Sequence, residues 1–347
     1  MTKFIKNNAI VLKSDSDNPT TFLTLGGICN NCCVGCSTPS ENYNSLSTKK
    51  ILLELKKCKR QGYKEVHFFG GEITLRKDFF KLITFSKKLF DSVAITSNGR
   101  MFHYNLFVQK IAKLDISLIN ISLHGHDAKT HELWTKTPGS FEQTVNGIKN
   151  LIKNNVNVNI NCVLWRGNYK HVNNFLDLLL SLNVKSVVFL NINPIGFGQE
   201  KYNSLTFNLE KLDYLNKSLL SYKNNFNKIT LEDFPFCTFS YLIHNSKNIK
   251  IVNSSGNISI DNNLISSYGA AYLKQSGIDI FSNINIQDNI QNVCRLFNIY
   301  VKKIEKCKEC IYENKCNGIF NDYIEFMGYE RLQNQINNLF NKNIKGL

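Results

Sequence analysis

The sequence predicts an α/β fold built on a parallel sheet with helices outside it. Three observations predict this. Strand-like apolar runs alternate with amphipathic stretches six times between residues 22 and 192, and regular alternation gives β-α units rather than hairpins. The unusual residues fall where the strands end. Two of the strands also carry a polar face, whereas a purely structural parallel strand is apolar on both sides. Six units form a doubly wound sheet or an incomplete barrel, and in either ligands sit at the C-terminal ends of the strands.

A polar lead-in contains Pro19, and residues 22–25 read as the first strand. Ser47 and Thr48 can cap a helix in which Ile51, Leu55 and Cys58 share a face, which makes Cys58 a core residue. Strands follow at residues 66–69, 93–96, 116–123, 156–164 and 187–192, with helices at 79–90, 106–114, 141–154 and 172–182. In the fifth strand Val156, Val158, Ile160, Cys162 and Leu164 share one face, while Asn157, Asn159 and Asn161 share the other. Asn120, Ser122 and His124 line one face of the fourth. These Asn and Ser rows predict a lumen for a polar ligand, with Cys162 in the core. After Gly198 the alternation stops. Residues 200–230 read as polar helix, and 231–290 are mixed, with strand-like runs at 249–252 and 258–260. Residues 328–345 read as a terminal helix. The division expected is a lead-in (1–20), the sheet domain (21–198), a linking region (199–290) and a cysteine-rich domain with the terminal helix (291–347).

A chain of 347 residues can bury a large core, and its length favours one large domain plus a smaller one. No apolar run reaches a membrane span and the N-terminus lacks a signal peptide's apolar core, so a soluble, cytoplasmic protein is expected. In that setting eleven cysteines read as metal ligands and free thiols rather than disulfides. The net charge of +15 comes from 42 basic and 27 acidic residues. The lysines are scattered rather than gathered into an Arg-rich patch, which argues against a nucleic-acid partner.

Four cysteines lie in Cys29-Asn-Asn-Cys32-Cys33-Val-Gly-Cys36, and Cys29, Cys33 and Cys36 are spaced C-x3-C-x2-C. Three thiolates on a four-iron cluster leave one iron open to a small molecule. A zinc knot is the alternative, though it would use four ligands and prefer C-x2-C pairs. Four further motifs also follow strands: Gly70-Gly71-Glu72, Ser97-Asn98-Gly99, His124-Gly125-His126 and Asn193-Pro194-Ile195-Gly196. A second group, Cys307-x2-Cys310-x5-Cys316, lies near the C-terminus. A closed cluster or a structural zinc site there needs a fourth ligand, which Cys237 or Cys294 could supply. Cys237, after Pro235, is favoured because it otherwise has no explanation.

Together these motifs resemble the radical S-adenosylmethionine (SAM) superfamily. Cys29-x3-Cys33-x2-Cys36 resembles its cluster motif, and Phe69-Gly70-Gly71-Glu72 its GGE motif. Six β-α units match its partial (β/α)6 TIM-like barrel. Cys307-x2-Cys310-x5-Cys316 is similar to the auxiliary-cluster motif of SPASM or twitch C-terminal domains. The resemblance implies a SAM-binding [4Fe–4S] cluster on Cys29, Cys33 and Cys36. It implies SAM contacts at Gly70, Gly71, Glu72, Ser97, Asn98 and Ser122, with Asn168 a further candidate. It also implies an auxiliary [4Fe–4S] cluster on Cys307, Cys310, Cys316 and Cys237 or Cys294, and an electron donor such as flavodoxin or ferredoxin.

The resemblance further implies hydrogen abstraction from a peptide or protein side chain. A small-metabolite substrate, as in the molybdenum-cofactor cyclases, is a second reading. Those relatives have a long-gap cysteine pattern and a Gly-rich tail, whereas this chain has a short x5 gap and ends Ile344-Lys345-Gly346-Leu347. A non-enzymatic metal or nucleic-acid module is a third reading, but it would need a basic stripe with interleaved aromatics. The chain departs from the pattern in three places. Gly35 stands where many members have an aromatic residue near the adenine, which would leave only a backbone contact. His124 stands where many have Asp, and Cys32 is an extra thiol with no role.

Overall fold

The computed structural model describes residues 20–39, 45–239, 242, 246–252, 301–310, 312–314, 316 and 318–344. Eight parallel strands form one sheet in chain order: β1 (Thr20–Thr24), β2 (Glu65–Phe69), β3 (Ser92–Ser97), β4 (Leu118–Ser122), β5 (Val158–Val163), β6 (Ser186–Leu190), β7 (Lys228–Glu232) and β8 (Ile249–Val252). Among the described residues β1 pairs only with β2 and β8 only with β7, so the sheet is an open, partial barrel. Parallel neighbours need crossover connections. Helices supply them: α1 (Thr48–Arg60), α2 (Phe79–Lys87), α3 (Asn105–Ala112), α4 (Ala128–Thr135), α5 (Ser140–Lys153) and α6 (Val172–Ser181). The short α7 (Phe197–Glu200) and α8 (Tyr202–Leu205), then α9 (Leu212–Tyr222), separate β6 from β7.

The outer face of the sheet is apolar. Leu23, Phe68, Ile95, Ile121, Ile160 and Phe189 are fully buried on it. α1 starts at the Ser47 hydroxyl, which accepts from Lys50 N, and turns Ile51, Leu55 and Cys58 onto this face. Cys58 and Cys162 are both buried, the first with its sulfur 3.5 Å from Thr21 Oγ1. Both are core residues, as expected.

The inner face is polar. Register sets Asn120 opposite Asn159 and Ser122 opposite Asn161. Asn159 Nδ2 donates to Asn120 Oδ1 (2.7 Å) and Asn161 Oδ1 (2.9 Å), and Ser186 Oγ donates to Asn159 Oδ1 (2.8 Å). Neutral groups that satisfy one another can line a barrel without the cost of buried charge.

The sheet also differs from the expectation in one respect. It does not stop at Gly198, because β7 and β8 add two parallel strands from the region read as linking. β7 has only Ile229 and Leu231 as apolar residues, too short an alternation to stand out. The run at 249–252 is β8, whereas that at 258–260 lies outside the described residues, as does Cys294. The C-terminal part forms an antiparallel pair, β9 (Val301–Lys302) with β10 (Ile319–Phe320), then α10 (Asn321–Met327) and α11 (Tyr329–Ile344). Ile319, Phe320, Tyr323, Met327, Leu332 and Ile336 join the same apolar core as the barrel. Among the described residues no helix is long and apolar enough to cross a membrane.

Candidate metal centre

The cysteine loop is held from several strand ends. α4 leaves its last carbonyls without helical partners. Two are used by the loop: Cys32 N donates to Thr135 O (2.9 Å) and Val34 N to Trp134 O (2.9 Å). From the β2 exit, Glu72 N donates to Ile28 O (2.7 Å), and from the β6 exit Phe197 N donates to Cys36 O (2.9 Å). From the β3 exit, Asn98 Nδ2 donates to Asn30 Oδ1 (2.6 Å) and lies 3.8 Å from Cys29 Sγ. Arg100 Nη1 donates to the Asn30 carbonyl and to Asn31 Oδ1 (2.9 Å).

The three expected thiols share one neighbourhood. Burial, then Cys36 and Cys29, push the Cys33 thiol well up. Burial chiefly raises Cys29 too, while the Asn31 N–H, 3.4 Å from its sulfur, lowers it. By surface area Cys29 is nonetheless exposed. The two facts agree if the sulfur faces a concave opening, where solvent reaches it and protein surrounds it. Cys32 is exposed. Among the described residues no three ligating side chains close on a point that would hold a single metal ion. A cluster asks for less convergence, because each thiolate binds a different iron. Three thiols on one pinned loop, with N–H donors aimed at Cys29, fit that donor set.

Gly70 and Gly71 have φ of +87° and +57°. A Cβ on Gly71 would sit 2.5 Å from Ile28 O and 2.8 Å from Gly26 O. The close approach that Gly71 permits is therefore, first, to the loop that leads into Cys29, whereas a Cβ on Gly70 would run into Thr24 Cγ2 at the end of β1. The Glu72 carboxylate is 2% exposed and points inward. It accepts from Ser97 Oγ (2.8 Å), Asn98 N (2.6 Å), Thr74 N (3.1 Å) and the Thr74 hydroxyl. Burial raises its pKa, and these donors pull it back. Glu72 thus ties the β2 exit to the β3 exit.

Ser122 lies on the inner face beside Asn120. Asn168 is buried, and its Nδ2 donates to Val163 O (2.8 Å) and His124 O (3.0 Å) while Oδ1 accepts from Trp165 N (2.9 Å). Its N–H groups are spent on two strand exits, the end of β5 and the turn after β4. His124 Nδ1 accepts from Val163 N (3.2 Å), and burial followed by His131 holds its pKa well below the imidazole range. The space a side chain would take at Gly35 is occupied: a Cβ there would meet Trp134 Cη2 at 2.5 Å. Trp134 packs in turn on His124 and Trp165.

The second cysteine group also assembles. Cys237 follows Pro235 in a 3-10 turn, Phe236–Phe239, beyond β7. Burial raises its thiol, followed by the nearby thiols Cys316, Cys310 and Cys307. Phe236 meets Tyr312 edge-on at 5.8 Å. The donor set, four thiols from two segments, fits a closed cluster.

Sequence reasoning missed Arg100, Trp134 and Thr135. Trp134 and Thr135 act through main-chain carbonyls, which no side-chain motif reveals, and one of the partners of Arg100 is also a carbonyl.

The family model described as the Radical SAM superfamily matches residues 23–179. A probable GTP 3′,8-cyclase of Saccharolobus islandicus (strain M.14.25 / Kamchatka #1) is 33% identical over 183 residues, 51% of this chain and 58% of the relative. One from Sulfurisphaera tokodaii is 27% identical over 201 residues, 57% of this chain and 62% of the relative. The chain thus spans about three fifths of these curated relatives' length. Among solved structures, anSMEcpe with bound AdoMet and the Cp18Cys peptide aligns over 92% of this chain and 99% of its own, at 17% identity and a TM-score of 0.57. Streptococcus suis SuiB bound to the precursor peptide SuiA aligns over 87% and 72%, at 17% identity and a TM-score of 0.60. These likenesses show a common fold. Residues 23–179, which carry the pinned three-cysteine loop, are the part of the chain that is similar to the radical SAM superfamily.

Proposed function

We propose that the chain is a radical SAM enzyme acting on a peptide or protein side chain. In this reading Cys29, Cys33 and Cys36 hold a [4Fe–4S] cluster that binds SAM. With both bound, one electron cleaves the sulfonium to methionine and a 5′-deoxyadenosyl radical that takes hydrogen from the substrate. The chain's own residues bind, orient and enclose. Gly70, Gly71, Ser97, Asn98 and Ser122 surround SAM at the strand ends. Glu72 and Asn168 set the turns that present them. Cys237, Cys307, Cys310 and Cys316 hold an auxiliary cluster, and a flavodoxin or ferredoxin supplies the electron.

The observation that carries the enzyme reading is the cysteine loop, pinned from the β2, β3 and β6 exits and from α4. The peptide reading is supported by the second thiol group and by fold likeness over 87–92% of the chain to structures solved with peptides. The GTP 3′,8-cyclase relatives favour a small-metabolite substrate instead. One experiment separates the two. Anaerobically reconstituted protein is given dithionite, SAM and either deuterated GTP or a deuterated peptide encoded beside its gene. Deuterium in 5′-deoxyadenosine from the peptide supports the proposal, and deuterium from GTP alone overturns it. Zinc without labile sulfide, or SAM cleavage by the Cys29, Cys33 and Cys36 triple Ala variant, would overturn the enzyme reading.

A further inference from the structure

Arg100 was picked out by no motif, yet its side chain reaches into the cysteine loop. It follows Gly99, which has φ +83°, and its backbone N donates to Asn98 Oδ1 (3.0 Å). Its guanidinium spans two elements. Nε donates to Gln143 Oε1 on α5 (2.7 Å), which fixes the plane of the fork. Nη1 meets the Asn30 carbonyl and Asn31 Oδ1 (2.9 Å). Both acceptors lie in the turn directly after Cys29. With the Asn30 carbonyl drawn to Arg100 on one side, the next amide, Asn31 N–H, points back to Cys29 Sγ at 3.4 Å.

A planar guanidinium with several fixed donors can hold a carbonyl and an amide oxygen together. A lysine ammonium carries the same charge but has no fork. Hydrogen bonds to ligand sulfurs, together with net charge, set the potential of an iron–sulfur cluster.

We propose that Arg100 is a positioning residue that clamps the Asn30–Asn31 turn, aims the Asn31 N–H at Cys29 Sγ, and so raises the reduction potential of the cluster held there. This rests on the three-cysteine cluster of the proposed function. The contribution has two parts, the fixed positive charge and the aimed N–H, and only the second needs the fork.

The test uses the full chain in wild-type, Arg100→Lys, Arg100→Gln and Asn31→Ala forms, with two readouts. The first is hydrogen exchange of the amides of residues 29–36 in the cluster-free chain. The second is EPR-monitored potentiometry of the reconstituted SAM-binding cluster without SAM. Arg100→Gln is expected to speed exchange at Asn31 about tenfold. It is also expected to lower the reduced-to-oxidised ratio at fixed potential about tenfold, which is 59 mV for one electron. Arg100→Lys keeps the charge and should recover only part of either effect. Asn31→Ala, which keeps the amide but removes one anchor, should shift both in the same direction by less, and it carries the test if Arg100→Gln fails to fold.

If exchange and potential stay at wild-type values in these variants while the cluster is present, the clamp is overturned and the superfamily reading stands. Full recovery by Lys would overturn the positioning role in favour of charge alone. A wild-type chain that assembles no four-iron cluster would instead overturn the reading on which the proposal rests.

Discussion

Glu72 is the buried charge around which the two strand exits are tied. Its Oε2 accepts from Asn98 N, and its Oε1 from Ser97 Oγ and both donors of Thr74. Glu72→Gln keeps the shape but turns one oxygen into an NH₂ that faces a donor. A buried donor without an acceptor costs about 1–3 kcal/mol. Urea unfolding of the cluster-free chain should show that loss, and the reconstituted variant should retain less iron. Two histidines make a second residue-scale prediction. Burial lowers His67 and His131 from 6.5 to about 4. His67 is only half-buried in area because its ring opens onto the lumen, where Nε2 lies 2.8 Å from Thr96 Oγ1. For both, the unfolded chain binds more protons between pH 6.5 and 4, so stability is complete above 6.5 and falls as pH drops through that window. The ceiling is about 3 kcal/mol for each at 1.36 kcal/mol per unit. His67→Gln should flatten part of that slope in thermal melts taken from pH 7 to pH 4. The three cysteines and the glycines were legible because their spacing is itself the signal. The inward orientation of Glu72 was not, because the same residue type could face a ligand or a strand end, and only the positions of Ser97 and Asn98 decide.

At the scale of elements, the β2 exit and the loop before Cys29 are fitted to each other through glycine. Gly71→Ala would place its methyl against two backbone carbonyls, those of Ile28 and Gly26, in a left-handed conformation. Neither carbonyl can rotate away, so the loop must move. Gly62→Ala is the control, since its φ is +87° with nothing within 4 Å of the added atom. Gly62→Ala should cost about 1–2 kcal/mol through conformation alone, with iron content unchanged. Gly71→Ala should cost more and also lower iron and sulfide at the SAM-binding cluster. Equal iron in the two variants would mean that the close approach is irrelevant to the site. Sequence period carried the six strands and their helices apart from α4 (Ala128–Thr135), which was not expected, because an apolar outer face against helices repeats every second residue. It also placed Asn120 and Ser122 on the same side as Asn159 and Asn161, by parity. It could not carry β7 or the pairing of β8, since a four- or five-residue strand with two or three apolar positions resembles any mixed loop. The carbonyls at the end of α4 that hold Cys32 and Val34 were likewise beyond reach, because every helix ends in such carbonyls and only the fold says what meets them.

At the scale of the molecule, the C-terminal part is joined to the barrel in two independent ways. One is apolar and polar packing. Tyr323 OH accepts from Leu209 N (2.8 Å), Gln335 Nε2 donates to Asn208 Oδ1 (2.9 Å), and Leu332 and Ile336 are buried. The other is the thiol group, in which Cys237 comes from the barrel side and Cys307, Cys310 and Cys316 from the C-terminal side. If the thiols hold an auxiliary cluster, it staples two parts that already share a core. Cys237→Ser should then lose about four irons of about eight, and leave the SAM-binding cluster's spectrum and SAM cleavage in place. The C-terminal part should stay docked, because its packing on Asn208 and Leu209 does not involve sulfur. Limited proteolysis of the wild type and the variant checks this: the same fragments should appear, with at most a modest rise in rate. Iron lost from both sites, or release of the C-terminal part as a fragment, would show instead that the thiol group holds the fold together. In that case packing at Tyr323 and Gln335 would be too weak to dock this part alone.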